Sequence, residues 1–249
     1  MSNLLPVAWL PDIDVRIGGA RMVKGVRMPH AIKKALATVL CLMCVLAAVP
    51  AAQAAELAAA ATDIRPLLLG SEAPDVALRA VDGKDVTLGQ LLSGKPTVLV
   101  FYRGGWCPYC SLQLGNLRLI ENDLVAAGYQ LLAISPDRPE ELRRTLDEQS
   151  ITYTLVSDSS GAAMKAFGIG FVLDDATTAK YAGFGIDIDK ASGESHHGLP
   201  VPSVFIVDGA GAIQFAYAHP DYRVRVPSEV VLAAAQAIAA DKQKLQPKR

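Results

Sequence analysis

Cys107 and Cys110 close an apolar run, Val98-Leu-Val-Phe-Tyr-Arg-Gly-Gly-Trp106-Cys107-Pro-Tyr-Cys110. The thiolate, not the thiol, is the nucleophile in disulfide and peroxide chemistry, and a free cysteine is mostly protonated at neutral pH. The pattern offers two ways to change that. An apolar strand ending in glycines and feeding a helix puts Cys107 at the first helical turn, where unpaired N–H groups favour an anion. Arg103, four residues earlier, is a second source of positive potential. Pro108 suits that turn, because its missing donor is not needed there. Cys110 falls one turn further on the same face. The two Cα atoms then lie about 5–6 Å apart, inside the disulfide range. The pair is expected to open and close without moving the helix. Gly104 and Gly105 permit the sharp turn and are expected to leave the site open to a partner.

Other uses of two cysteines are weaker. A structural disulfide around so short a loop stabilises little in the chain-entropy account. A zinc half-site needs further ligands, and the adjacent His196 and His197 are poorly disposed to share one tetrahedral metal. No cofactor is expected.

The elements that must position the pair alternate. Asp75–Ala80 and Asp85–Thr87 read as strands around a turn, and Leu88–Leu92 as a helical turn. Pro96 opens a buried strand to Tyr102. Cys107–Ala127 reads as a helix, with Leu114, Leu117, Ile120 and Leu124 at helical spacing and Gly128 as its stop. Tyr129–Ile134 is a strand, broken by Ser135-Pro136-Asp137-Arg138, where Asp137 suits a helix cap. A charged helix over Pro139–Gln149, a strand over Tyr153–Val156 and a helix over Gly161–Phe167 follow. Residues 168–198 read as a glycine-rich insertion that covers the active site, with Tyr181, His196 and His197 as solvated loop residues or, in the alternative, as groups that handle protons near neutral pH. Val201–Asp208 and Ala212–Ala218 form a late hairpin, and Ser228–Ala240 a closing helix. Alternation of this kind predicts an α/β three-layer sandwich, a central mixed β-sheet flanked by helices.

The chain has 249 residues, 51% hydrophobic, and a formal net charge of −1. No basic stripe with interleaved aromatics appears, so no nucleic-acid partner is expected. Residues 1–54 read as a signal region. Arg21, Lys24, Arg27, Lys33 and Lys34 precede the apolar run Ala35–Val49, and Ala52-Gln53-Ala54 is a small-x-small cleavage site. The signal has a normal length if the true start is Met28 or Met22. Cleavage removes Cys41 and Cys44, whose identical spacing is accidental, and leaves Cys107 and Cys110 alone in an oxidising, periplasmic compartment. The alternative is an uncleaved anchor, the one expected link to a membrane, although the run is short for spanning. Residues 55–68 are expected to be a mobile lead-in or a short helix, 69–240 the folded domain and 241–249 a frayed tail.

Taken together, Trp106-Cys-Pro-Tyr-Cys110 after an apolar strand resembles the active site of the thioredoxin fold. Gly70-Ser-Glu-Ala-Pro-Asp75, Phe101-Tyr-Arg-Gly-Gly-Trp-Cys107 and Ser203-Val-Phe-Ile-Val-Asp208 resemble the peroxiredoxin-like branch of the AhpC/TSA (redoxin) family. The resemblance covers about residues 69–238. It implies a thioredoxin-like sandwich and an antioxidant oxidoreductase, with Cys107 as the attacking thiol and Cys110 as the resolving thiol. It implies a hydroperoxide or protein disulfide as substrate and an external thiol reductant, a thioredoxin-like protein or a small thiol. Arg103, Trp106, Pro108 and Tyr109 become supporting residues, and Val201-Pro202 matches the cis-proline loop that faces the dithiol in thioredoxin-like proteins. Three departures stand out. Gly104 occupies the position of the usual peroxiredoxin threonine, no arginine lies near Ser203–Val207, and Phe101 replaces the buried acid common in thioredoxins. The alternative function is a non-catalytic binding or chaperone-like module with a structural disulfide.

Overall fold

The computed structural model describes residues 56–245. The expected signal region, Cys41 and Cys44, and the last four residues lie outside the described part. Two sheets form. The larger has seven strands in the order β2-β1-β5-β4-β3-β8-β9. They are β1 (Ala77–Ala80), β2 (Asp85–Thr87), β3 (Thr97–Phe101), β4 (Gln130–Ser135), β5 (Thr154–Ser157), β8 (Ser203–Val207) and β9 (Ile213–Ala218). β3, β4 and β5 run parallel, while β1, β8 and β9 pair antiparallel, so the sheet is mixed as expected. A separate two-stranded ribbon joins β6 (Gly170–Val172) to β7 (Gly198–Pro200). The helices are α1 (Leu88–Leu92), α2 (Pro108–Ala126), α3 (Pro139–Gln149), α4 (Ala162–Ala166), α5 (Asp175–Gly183), α6 (Ile188–Ser192) and α7 (Ser228–Leu245).

β3 is the central strand, and every one of its residues is buried. A strand covered on both faces reads as a continuous apolar run, which is why this segment was legible. Successive side chains point to opposite faces. Val98, Val100 and Tyr102 join the layer that holds Leu114, Leu117, Val231 and Ala235 from α2 and α7. Leu99 and Phe101 join the opposite layer, with Phe167 and Phe205. The rings of Phe101, Phe167 and Phe205 pack with centroids 4.9 to 6.0 Å apart, close to the spacing that aromatic pairs prefer.

Three expectations about boundaries need correction. The lead-in is part of the fold. Ala58 exchanges backbone hydrogen bonds with Gly170 and Val172, Arg65 donates to the Gly168 carbonyl at 2.9 Å, and Leu57, Ile64 and Leu67 pack on the second core layer. An alanine-rich stretch with few strong apolar residues hid that role. The closing helix extends to Leu245 rather than stopping at Ala240, because Lys, Gln and Leu are good helix formers and no glycine or proline interrupts Asp241-Lys-Gln-Lys-Leu. The segment 168–198 is not loose: β6, α5, α6 and β7 are built there.

Gly168 ties the lead-in to the domain. It holds φ at +67°, and a Cβ there would meet the Arg65 carbonyl oxygen at 1.9 Å. Gly168→Ala is expected to cost at least about 1–3 kcal/mol in denaturant unfolding. It should also speed hydrogen exchange at the Arg65 and Leu67 amides. Unchanged exchange at those amides would show that the lead-in is held by other contacts.

Candidate active site

The end of β3 makes the site. Tyr102 still donates its N–H to Ile134 of β4 at 3.0 Å, and the chain then leaves the sheet through Arg103, Gly104 and Gly105. Cys107 is the N-cap of α2, with extended backbone, and Pro108 is the first helical residue. The Cys107 carbonyl accepts the N–H groups of Cys110 and Ser111 at 2.9 and 3.1 Å. Cys107 therefore sits where the sequence placed it, at the positive end of a 19-residue helix. Cys110 lies one turn inside.

Both thiols are free. They are also buried, at 2% and 0% exposure. The glycines do not leave the site open, as was expected. Trp106, Tyr181 and Tyr222 close over the turn instead. Gly104 adopts φ +155°, and a Cβ on it would lie 2.2 Å from Trp106 Nε1 and 2.7 Å from Asp137 Oδ1. The indole and the carboxylate occupy the room that a threonine would need, which gives the departure at this position a physical cause.

The pair divides its charge unequally. The Cys107 pKa is lowered to about 6, first by a hydrogen bond from the Cys110 thiol and then by the Cys110 N–H, Arg103 and Arg225, against the cost of burial. Burial pushes the Cys110 thiol well up, the interaction with Cys107 pushes it further, and Arg225 opposes both. Acidity is thus shifted toward Cys107 and away from Cys110. Arg225, from the segment before α7, places Nη2 3.3 Å from Cys110 Sγ. Its Nη1 also binds Gln113 Oε1, and its Nε donates to the Tyr222 carbonyl at 2.9 Å.

Arg103 is not a surface residue. It is 3% exposed, and its guanidinium carbon lies 5.3, 5.3 and 4.5 Å from the rings of Trp106, Tyr181 and Tyr222. Its Nη2 donates to the Tyr181 hydroxyl at 2.6 Å. Its Nε is buried without a hydrogen-bond partner. Tyr181, on α5, also meets Trp106 edge-on at 5.9 Å, so the 168–198 segment does cover the site. Tyr109 is 41% exposed and stacks edge-on against Tyr222. His196 and His197 are held rather than loosely solvated: His196 Nε2 pairs with the Ser159 carbonyl at 2.7 Å, and His197 pairs with Asp189 at 3.0 Å.

Two expected roles fail. All peptide bonds among the described residues are trans, so Val201-Pro202 is not a cis-proline loop. The chain bends at Pro202 as it passes from β7 of the ribbon to β8 of the larger sheet. Val201 packs in the core layer opposite the one that holds the two cysteines. The Pro202 carbonyl accepts the His219 N–H at 3.2 Å. Pro202 is a proline at a strand start. Asp137 is not a helix cap either. The N-cap of α3 is Arg138, which makes no side-chain cap bond. Asp137 instead turns inward, at 1% exposure, and accepts the Gly105 N–H at 2.7 Å. Burial raises its pKa to about 7.

Sequence reasoning missed Arg225, Gln113 and Tyr222. Gln113 carried a signal, since it lies on the helix face of Cys110. Arg225 follows the pair by more than a hundred residues in an irregular segment, and only the fold brings it back.

The model of the AhpC/TSA family matches residues 69–216. The chain belongs to the AhpC/TSA family. Peroxiredoxin Bcp of Escherichia coli K12 is 33% identical over 106 residues, which cover 43% of this chain and 67% of that protein. Chloroplastic peroxiredoxin Q of Gentiana triflora is 31% identical over 100 residues, 40% of this chain and 46% of that one. Among solved structures, Xanthomonas campestris peroxiredoxin Q aligns with a TM-score of 0.53 at 22% identity, covering 70% of this chain and 97% of that one. Peroxidoxin BcpB of Mycobacterium tuberculosis aligns with the same score at 20% identity, covering 68% and 97%. These structures show the thioredoxin-like fold. As a member of the AhpC/TSA family with peroxiredoxin relatives, the protein is a thiol-dependent oxidoreductase.

The charge division is measurable. Thiolate absorbance should rise with an inflection near pH 6. Below that pH the thiol is protonated, so alkylation of Cys107 should slow about tenfold per pH unit. Arg225→Met removes a positive charge and should move the inflection upward. An unmoved inflection would remove Arg225 from the electrostatics of the pair.

Proposed function

We propose that this AhpC/TSA protein reduces hydroperoxides with Cys107 as the attacking thiol and Cys110 as the resolving thiol. The observation that carries the reading is a buried Cys107 at the N-cap of α2, with a second buried, free cysteine one turn inside and Arg225 Nη2 3.3 Å from that second sulfur. In the first step the Cys107 thiolate attacks one peroxide oxygen, the O–O bond breaks, and the leaving alkoxide takes a proton to depart as an alcohol. Cys107 is left as a sulfenic acid, which condenses with Cys110 to a disulfide and water. An external thiol, of the thioredoxin type or a small molecule, returns the pair to the reduced state by exchange. Arg103 is suited to orient the oxygens, because its Nε is the buried donor with no other engagement. Trp106 and Tyr181 hold that guanidinium in place by ring contact. Pro108 starts the helix that polarises Cys107, and Tyr109 flanks the turn.

The two relatives named above are called peroxiredoxins, which supports a hydroperoxide over a protein disulfide as the substrate. The same pair could exchange with a protein disulfide through a mixed disulfide. A non-catalytic module gains no support from the site: a fixed structural bond requires neither an acidified thiol nor an arginine on its partner sulfur. Residues 1–54 carry the charge pattern, apolar run and cleavage site of an export signal, and support a periplasmic protein that works after their removal. The uncleaved anchor remains the alternative.

Stopped-flow oxidation of the reduced protein by hydrogen peroxide, an alkyl hydroperoxide and a protein disulfide tests the assignment. Oxidation by a hydroperoxide should exceed that of free cysteine by at least about 100-fold, since thiolate fraction and positioning both contribute. A rate no better than free cysteine would remove the peroxidase reading. Cys107→Ser should lose all activity, whereas Cys110→Ser should keep the first step and accumulate a sulfenic acid trappable by dimedone. A reporter fused behind residues 1–54 should appear in the periplasm with those residues cleaved.

A further inference from the structure

A substrate for Cys107 must reach a sulfur that is 2% exposed. Part of the roof has to move, and its parts are not equally fixed. Trp106 belongs to the turn itself. Tyr222 has its carbonyl held by Arg225 Nε at 2.9 Å. Tyr181 comes from α5, the most loosely attached element at the site.

We propose that Tyr181 is the gate of the active site. Its hydroxyl competes with a hydroperoxide for Arg103, and its withdrawal with α5 admits the substrate to Cys107. The inference rests on the hydroperoxide reading given above, and it adds the residue that controls access.

The first observation is the bond that closes the gate. Arg103 Nη2 donates to the Tyr181 hydroxyl at 2.6 Å. A guanidinium carries its N–H donors in a rigid planar fork, which suits a ligand with more than one acceptor oxygen. On Arg103 the Nε is buried without a partner, while Nη2 holds the phenol. A phenol oxygen and a hydroperoxide oxygen are acceptors of the same kind, neutral and hydroxylic. The phenol therefore stands on the fork as a substrate oxygen would.

The second observation is how little else holds α5. None of its residues is buried. Among the described residues, the hydrogen bonds of 174–186 stay within that segment, with the Tyr181–Arg103 bond as the single exception. The exit of the helix is unpacked as well. Gly183 and Gly185 have open space where a Cβ would lie, and Phe184 between them is exposed. Side-chain packing again rests on Tyr181, whose ring meets Trp106 at 5.9 Å, with Ile186 beside it on the small cluster of Leu173, Ile188 and Leu199. An element with so few buried apolar contacts opens at low free-energy cost.

The third observation is what stays behind. When Tyr181 leaves, Arg103 keeps its contacts with the rings of Trp106 and Tyr222, at 5.3 and 4.5 Å. Opening therefore frees a donor without releasing the cation. The ring contact that Tyr181 gives up is with Trp106, the residue immediately before Cys107.

The test uses Tyr181→Phe, which keeps the ring and removes the hydroxyl. Access is read as alkylation of Cys107 by iodoacetamide, followed by peptide mass spectrometry. At about pH 8.5 Cys107 is ionised, since its pKa is about 6, so the rate reports access rather than acidity. Alkylation should be about tenfold faster in the variant, the scale of one lost hydrogen bond to a charged group. Oxidation by hydrogen peroxide should quicken by more than alkylation does, because the hydroxyl also competes for Arg103. A tyrosine that merely supports Arg103 predicts the opposite sign, slower oxidation. Arg103→Met, with and without Tyr181→Phe, completes a double-mutant cycle. With the guanidinium gone, removing the hydroxyl should change either rate by less than about twofold. Hydrogen exchange reads the gate without either reaction. The α5 amides should exchange faster than those of α2 in the native protein, and faster still in Tyr181→Phe.

Four results would each overturn the proposal. They are alkylation at the native rate, oxidation that gains no more than alkylation, an undiminished effect of Tyr181→Phe without Arg103, and α5 amides as protected as those of α2. A native protein inert to hydroperoxides would instead remove the peroxidase reading. Alkylation, its dependence on Arg103 and hydrogen exchange would then still decide whether Tyr181 gates Cys107.

Discussion

Everything at this site follows from holding one negative charge on sulfur inside a nearly dry pocket. Burial alone would push a thiol up and leave it inert. The fold opposes that cost with a helix N-terminus, the Cys110 thiol and two guanidinium groups. One pKa unit corresponds to about 1.4 kcal/mol. The lowering of Cys107 therefore reflects roughly 4 kcal/mol in favour of the anion, shared among several contributors. No single one of them could supply it at a solvated surface, where charge interactions are worth little. Burial both threatens the thiolate and makes its partners effective.

The sheet is arranged to deliver those partners. β3 lies between β4 and β8, so its end is fixed by pairing on both sides, Phe101 opposite Ile134 and Ser203. The chain that leaves this strand has little freedom before α2 begins. β4 ends on the same edge, which is why Asp137 reaches the glycines of the neighbouring turn. Gly105 has its own constraint, since a Cβ there would lie 2.0 Å from Thr145 Oγ1 of α3. α3, the β4 loop and the α2 turn are thus packed to a tolerance that excludes even an alanine. This closeness holds the buried Asp137 against the glycines that precede the dithiol.

The parts legible in the sequence were those with a local cause. A continuous apolar run could only be a buried strand, two glycines and a proline marked the turn, and the leucine spacing of α2 set its inner face. The order of strands and helices then implied the mixed sheet. What stayed hidden depended on chain segments distant in sequence. Arg225 has no local pattern to mark it, and its role exists only because α7 packs beside α2. Arg103 and Asp137 were visible as residues but not as buried ones, because ordinary turn chemistry explains an arginine or an aspartate equally well. Pro202 was misread for a related reason. A proline ahead of an apolar strand fits both a cis loop and a strand start, and only the backbone distinguishes them.

The three departures from the family pattern can be understood as one rearrangement. Trp106 folds back over Gly104 and takes the volume of the usual threonine. The same indole, with Tyr181 and Tyr222, forms the cage that holds Arg103 against the turn. Two cations lie beside the dithiol, Arg103 from the Cys107 loop and Arg225 from the segment before α7, while none comes from β8. A buried acid, Asp137, lies just beyond the end of β4, and none lies on β3. Gly104, Trp106 and Arg103 depend on one another. Without the small residue at 104 the indole could not fold back, and without the indole the cage would lack one of its walls. A guanidinium buried without such walls would face the desolvation penalty with fewer compensating contacts. The small residue at 104, the folded-back indole and the buried guanidinium are therefore one packing arrangement.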